Sequence, residues 1–372
     1  MSALYIEVWR DGAAQMVDLI RNILSQEAFI SSYIVKTFLE VTLQSADLLQ
    51  GITPPCKARI SLTEFRNKLQ AFYYFQHVDS VLGLPSDPTF TLSQTIEKTY
   101  TLGPVLSVWA TEGLGHYYTR LQLQGSRFPR NILSDNDAKD LPRPSLIPLH
   151  AGMGLALAES LLGRELDPGN LANQFLQLCR TNARPGHAGA AIEALGLVAR
   201  TLHPELIPLL DREFAKRDED LLAYFWHGVG RGTYFTAIDF LPSQGYKMCA
   251  QESPHALARS NAVAGYVWAL VLVNIRQPEV LAAFLRQADL SASDAIFNGI
   301  FSALVIWLES APQDTSVKTF YDYDSGCLDS ALPQLWSRYV QQATKNAVQF
   351  HRQPACDIGA LFRYQPFATL VH

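Results

Sequence analysis

The chain has 372 residues, 48% of them hydrophobic and 17% charged, and a formal net charge of −5. That apolar mass suffices for a large core and excludes a disordered, solvating polymer. With 30 basic against 35 acidic side chains and no Lys/Arg run, nothing is set to neutralise a phosphate backbone, and no nucleic-acid partner is expected.

In chain order, the N-terminus Met1-Ser2-Ala3-Leu4-Tyr5-Ile6 lacks a basic region followed by an apolar run, so no signal peptide is expected. Met16, Leu19, Ile20, Ile23 and Leu24 draw one apolar stripe at helical spacing, and Ile34, Val35, Phe38 and Leu39 continue it. Ser61 with Glu64 three residues on predicts a capping box opening the helix that carries Phe65, Leu69, Phe72 and Phe75. The break Gly83-Leu84-Pro85-Ser86-Asp87-Pro88 ends an N-terminal helical segment, residues 1–88.

From residue 89 a Gly-containing segment recurs: Glu112-Gly113-Leu114-Gly115-His116, His150-Ala151-Gly152-Met153-Gly154, His187-Ala188-Gly189-Ala190-Ala191 and His227-Gly228-Val229-Gly230-Arg231, then more faintly Asn261-Ala262 and Asn298-Gly299. The aligned small residues at 113, 152, 189, 228, 262 and 299 lie 39, 37, 39, 34 and 37 apart. Such a period signals a repeat architecture. A Pro-rich loop interrupts it between residues 125 and 148. Pro204 and Pro278 each open a second helix of a repeat. Strand signals are scarce: short runs such as 317–323 have the composition of extended chain, but nothing demands a sheet. Helical spacing returns at Leu335, Trp336, Tyr339, Val340 and Ala343, and an irregular tail follows from Gln353. The expected fold is all-α, with tandem helical hairpins of period about 37 residues over 89–330 forming a superhelix or α/α toroid, and a capping helix and tail over 331–372. Apolar stretches such as 266–273 fall short of the roughly 20 residues that cross a bilayer, so no membrane insertion is expected. Cys56, Cys179, Cys249, Cys327 and Cys356 form no Cys-x-x-Cys pair and suit reduced thiols in the cytoplasm.

The glycines let helices approach closely, a task for any small residue, since Ala262 stands where other copies have Gly. They lack the full dinucleotide-binding spacing, and no phosphate-loop Gly-Lys-Ser/Thr occurs, so no nucleotide cofactor is expected. No Gly-x-Ser-x-Gly elbow and no EF-hand loop is present, the acidic runs 135–137 and 322–324 included. The polar residues beside the glycines carry more information, because one register of a repeat faces one side. Either they cap helices and bond backbone, or they line a pocket. In the second reading Glu112, His116, His227 and Arg231 are the catalytic candidates, and His150, His187, Tyr234, Asn261 and Asn298 the substrate-binding ones. Glu112 and His116, four apart on one helix face, would form an acid/base pair, and Arg231 would bind an anionic group. A metal ion held by the histidines is a further option, although the Glu-x-x-His spacing of di-iron helices is absent.

The three strongest segments, 112–116, 150–158 and His227-Gly228-Val229-Gly230-Arg231-Gly232-Thr233-Tyr234-Phe235, resemble an uncharacterised all-helical bacterial domain family found in enediyne and other natural-product biosynthetic clusters. That family carries recurring Gly-x-Gly helices, including a Gly-x-Gly-Arg followed by an aromatic. The resemblance spans roughly residues 105 to 310 and implies a role in specialised metabolism without naming a reaction. The expected function is a biosynthetic enzyme acting on an apolar small molecule by acid/base or metal-assisted chemistry. The alternatives are a non-catalytic scaffold that binds a protein partner, and a small-molecule carrier.

Overall fold

The computed structural model describes residues 32–52, 57–86, 90–126, 128–134, 140–164, 167–236, 242–324, 331–353 and 357–366. The stripe from Met16 to Leu24, the acidic run 135–137 and Cys56, Cys327 and Cys356 lie outside them. Helix is the only regular structure among the described residues. Ser32–Ile52 (α1), Lys57–Gln76 (α2), Val78–Leu82 (α3) and Leu92–Tyr100 (α4) lead into Pro104–Gly125 (α5). Leu146–Leu162 (α6), Pro168–Asn182 (α7), Ala188–Leu202 (α8), Ile207–Ala215 (α9) and Glu219–Thr236 (α10) follow. Next come Pro242–Glu252 (α11), Ala256–Val273 (α12), Pro278–Gln287 (α13), Ser293–Ser310 (α14) and Ser316–Asp322 (α15). Leu332–Trp336 (α16) passes through the π-helical turn Ser337–Gln341 into Gln342–His351 (α17).

Two kinds of helix alternate, and composition explains both. α6 is buried without a break from Leu146 to Ala158, and α12 from Asn261 to Val273. A helix apolar on every side has no face to give to water, so it sits inside. α5, α6, α8, α10, α12 and α14 make a series in which each packs along the next, and α17 follows on α14. α7 and α13 are amphipathic instead: α7 buries Leu171, Phe175, Leu178 and Cys179, and α13 buries Val280, Leu281 and Phe284. Within the series Gly228 meets Glu193, and Gly232 meets Arg200, so α8 and α10 run in the same direction.

The glycines set how near these helices come. A Cβ on Gly152 would lie closer than 3.0 Å to the backbone carbonyl of Glu112, and one on Gly228 equally close to that of Glu193. The expectation that any small residue serves is corrected here. The obstacle is a neighbouring helix backbone, which cannot turn aside as a side chain can.

Further contacts join parts distant in sequence. α2 packs on α5 and also touches α12 and α13. Its Asn67 Nδ2 donates to Asn274 Oδ1 and Gln277 Oε1, both at 3.0 Å. Glu309 of α14 accepts from Arg143, ahead of α6, at 2.5 and 3.0 Å, and bonds His351 of α17 at 3.0 Å. One buried apolar core runs from Ala71 to Phe362 and crosses both expected boundaries, 88/89 and 330/331.

Four local expectations are corrected. Ser61 and Glu64 lie inside α2, which starts at Lys57, so they do not cap it. Glu64 pairs with Lys68 at 3.2 Å, and Thr63 bonds the Arg59 carbonyl one turn back. Residues 317–322 of the run that read as extended are helical in α15, and Tyr323 is its extended C-cap. Three helical stretches, Arg143–Leu162, Ala256–Val273 and Leu290–Ser310, are by length and composition long and apolar enough to cross a membrane, because Ala and Gly extend the Leu/Val runs. Most of each is packed inside the protein. The tail holds a buried 3-10 turn, Ile358–Phe362.

Candidate functional site

His227 and Arg231 stand four apart on α10, hence on one face. Gly228 between them admits α8, and Gly230 admits α12 at Ala262. The two polar side chains therefore open onto neighbouring helices rather than solvent. Arg231 Nη1 donates to Glu193 Oε2 of α8 at 3.0 Å, and Nη2 to Glu112 Oε1 of α5 at 2.5 Å. Its guanidinium lies over the Trp268 ring of α12, 4.8 Å from the centroid. His227 Nδ1 is 2.8 Å from Glu193 Oε1, so that nitrogen carries the proton and donates it to the carboxylate. All four polar residues are buried. One bonded chain, Glu112–Arg231–Glu193–His227, thus ties α5, α8 and α10 together.

Burial and charge decide the protonation. Burial drives the Glu112 carboxyl up, Arg231 pulls it back only in part, and the Glu193 charge adds to the rise, so it ends above the ordinary carboxylate range. Burial also opposes ionised Glu193, but the Arg231 charge and the hydrogen bonds from His227 and Arg231 outweigh it and hold the group below that range. Burial disfavours charged Arg231, and the two carboxylates reverse this and raise it. Arg231 and Glu193, both charged, balance each other, so a proton on Glu112 leaves the cluster neutral. Three nitrogens around it, His227 Nε2, Arg231 Nε and Trp268 Nε1, are buried without a hydrogen-bond partner.

The other expected residues separate. His116 shares a helix face with Glu112, but its Nε2 bonds Glu159 Oε2 at 2.8 Å while Glu112 turns to Arg231. The expected acid/base pair is therefore split between two partners. Burial would raise Glu159, and the His116 charge and hydrogen bond outweigh it and lower it. His150 has a structural place: its Nε2 accepts the Arg184 N–H at 3.0 Å, so Nδ1 donates to the Leu146 carbonyl at 2.6 Å. Burial pushes it down to about 3 and keeps it neutral. His187 Nδ1 faces the Pro185 carbonyl at 3.1 Å, and its ring meets that of His150 at 5.0 Å. Tyr234 lies apart, its hydroxyl accepting from Asn274 at 2.9 Å and its ring under the Lys68 ammonium at 4.0 Å. The histidines thus stand at separate places apart from the 150–187 pair, and among the described residues no three His, Cys, Asp or Glu side chains form a group that could hold a metal ion.

Asn261 and Asn298 hold the chain's own C-terminal segment. Asn261 Oδ1 accepts the Tyr364 N–H at 2.6 Å, and Asn298 Nδ2 donates to the Gln365 carbonyl at 3.0 Å. Phe362, fully buried, lies 6.5 Å from the His227 ring and 5.5 Å from Trp268. Arg363 pairs with Asp220. Elsewhere, a cleft of about 190 Å³ lies where α2 and α5 meet the turn after α12, with Trp109 and Gln70 in its wall. Its two arginines, Arg66 and Arg276, are already paired with Asp47 and Asp314.

Glu193, Glu159, Trp268 and Phe362 were absent from the sequence candidates. Glu193 was the findable one, a lone carboxylate in the Ala/Gly/Leu run of α8. Glu159 sits near the end of its helix and looks like any exposed acid, and one Trp or Phe among many gives no signal. Comparison with protein-family models, with curated proteins and with solved structures gave no match.

Proposed function

We propose that this protein is a biosynthetic enzyme of specialised metabolism that acts on an apolar small molecule through the Glu112–Arg231–Glu193–His227 cluster. One observation carries the reading: a carboxyl raised toward its protonated form and an imidazole with an unpartnered Nε2 sit in one bonded chain inside an apolar helix series. Perturbed titratable groups gathered in this way are what active sites use to poise a proton donor and acceptor. Structure alone needs no such cluster, since well-packed apolar residues stabilise a core as well or better. Glu112 gives a proton to the substrate, His227 Nε2 takes one from it, and Arg231 positions both carboxylates. Proton transfer of this kind serves an isomerisation or cyclisation and consumes no co-reactant. Because Arg231 has both terminal nitrogens on carboxylates, the anion-binding role expected for it is replaced by a positioning one.

The architecture proposed with this is an array of tandem helical hairpins, period about 37 residues, curved into an α/α toroid. The sequential packing from α5 to α14, the α2 contact with α12 and the contact of α14 with α6 support it. The family resemblance supplies the metabolic setting. We place the protein in the cytoplasm, with the three long apolar helices as core elements. Buried unpaired Cys179 and Cys249 support the first, and the packing of those helices supports the second.

The test extracts the purified protein with organic solvent and analyses the extract by mass spectrometry, for wild type, Glu112→Gln and His227→Gln. A retained apolar molecule that differs in structure between wild type and either variant is expected. Folded variants that retain the same molecule unchanged, or none in any form, would sink the reading. A protein scaffold is the second reading, favoured by the peptide backbone that Asn261 and Asn298 grip. A stoichiometric protein partner without any small molecule would select it.

A further inference from the structure

Residues 357–366 run along the end of the series where α8, α10, α12 and α14 begin, and Phe362 reaches the charge cluster at His227. Two kinds of contact hold them. Ile358, Leu361 and Phe362 are buried apolar anchors, with Phe362 against His227 and Trp268. The main chain is gripped separately: Gly186 accepts the Gly359 N–H at 2.8 Å, Asn261 the Tyr364 N–H, and Asn298 donates to the Gln365 carbonyl. Asn261 and Asn298 occupy one register of two successive series helices, and they hold two successive residues of the segment. The segment is a short 3-10 turn followed by irregular chain at Tyr364 and Gln365, and main-chain clamps with buried apolar anchors are how a protein binds a peptide, and not how two helices pack.

The closed arrangement is also incompletely satisfied. Beneath the segment His227 Nε2, Arg231 Nε and Trp268 Nε1 are buried without partners, and so are Asn298 Oδ1 beside it and Arg363 Nε within it. Buried polar atoms left unpaired are costly, and each would regain a partner from water or from an entering molecule once the segment lifted. The Arg363–Asp220 pair adds a charge contact that is partly exposed and hence screened.

We propose that residues 357–366 are a detachable closure, bound in cis as a peptide ligand is, whose release opens the Glu112–Arg231–Glu193–His227 cluster. The cluster's role as the site of an enzyme rests on the function proposed above, while the release itself does not. The closure binds through Ile358, Leu361, Phe362 and the two asparagines, and it lifts as a unit while the helix series stays folded.

The test follows the reaction of His227 with diethylpyrocarbonate by peptide mapping, in the full chain and in Phe362→Ala. Buried His77, at the junction of α2 and α3, reports global opening. His227 in Phe362→Ala should react about tenfold faster or more while His77 keeps its wild-type rate. A synthetic peptide of residues 357–366 added in trans should return the rate toward wild type. Tyr364→Pro, which deletes the N–H given to Asn261 and with it a half-buried ring of the same segment, is read alongside in case Phe362→Ala lowers the folded population. Equal His227 rates in wild type and variants, or His227 and His77 rising together in both variants, would overturn the closure. A protein that retains no small molecule leaves these rates untouched, so the two readings fail separately.

Discussion

Both nitrogens of His150 face backbone groups of fixed polarity, a carbonyl at Nδ1 and an N–H at Nε2. A second proton would have to sit on Nε2 and point at the Arg184 N–H. The folded value near 3 lies below the unfolded value of about 6.5, so the folded state binds this proton less tightly than the unfolded state. The stabilisation is therefore complete above about pH 6.5 and is lost as pH falls toward 3, at up to about 1.4 kcal/mol per pH unit. Glu112 acts in the opposite sense, since its raised folded value favours the folded state at low pH and loses that contribution as pH rises. Urea titrations of wild type and His150→Gln isolate the histidine: the variant should be less stable at pH 7 and show a flatter loss between pH 6.5 and 4. Parallel pH profiles would contradict this account. At Arg231 the expected effects are larger. Arg231→Met leaves two buried carboxylates without their cation and should cost about 3–5 kcal/mol in denaturant unfolding. Glu112→Gln, which removes a charge the protein already disfavours and keeps an acceptor for Arg231, should cost less than about 1.5 kcal/mol. Glu112, His227 and Arg231 were legible in the sequence because a polar side chain in an apolar, Gly-rich register stands out. Their grouping was not, because the Arg231 link to Glu112 spans 119 residues and no periodicity encodes which face of α5 meets α10.

Between helices, the close approach depends on specific glycines. Gly228 rests on the Glu193 carbonyl and Gly265 on that of His227, so the same contacts that pack the series place the charged side chains. Gly228→Ala forces α8 and α10 apart against rigid backbone and should cost about 3 kcal/mol or more, the upper range for overpacking. Gly125, at the end of α5, has open space around its Cβ position, so Gly125→Ala should be neutral or stabilise by up to about 1 kcal/mol. Thermal unfolding of the two variants separates the cases, and equal effects would refute the packing argument. Helix content was largely legible at this scale. Pro204 and Pro278 opened helical turns as expected, and Gly83, at φ 62°, stops α3 where the break was read. The signals misread were those with a local alternative. Ser61 and Glu64 look like a cap, but side chains inside a helix make the same short-range bonds. The tail failed for another reason, since Ile358 to Phe362 is too short for periodicity and is placed by contacts with α8, α10 and α14.

At the scale of the whole molecule, the question is whether the helix series behaves as an open row or as a closed body. In an open array each unit touches only its neighbours, stability is a sum of local terms, and the ends unfold before the middle. Here α2 reaches α12 and α13 through Asn67, and Glu309 joins α14 to Arg143 and His351. These contacts couple the first helices of the series to the last, and a break anywhere must then be shared. The wild type should accordingly unfold in one transition, with the same midpoint by tryptophan fluorescence and by circular dichroism. Asn67→Ala removes the first coupling, and Glu309→Gln takes the charge from the second together with the Glu309 bond to His351 of the adjacent α17, which leaves the apolar packing between series helices in place. Combined, they should separate the two midpoints or broaden the transition, and the loss should exceed what each variant costs alone if both links close one ring. Two coincident, equally steep transitions in the double variant, with strictly additive losses, would mean that the series is held by neighbour contacts only. The proposed toroid would then give way to an open superhelix built from the same helices.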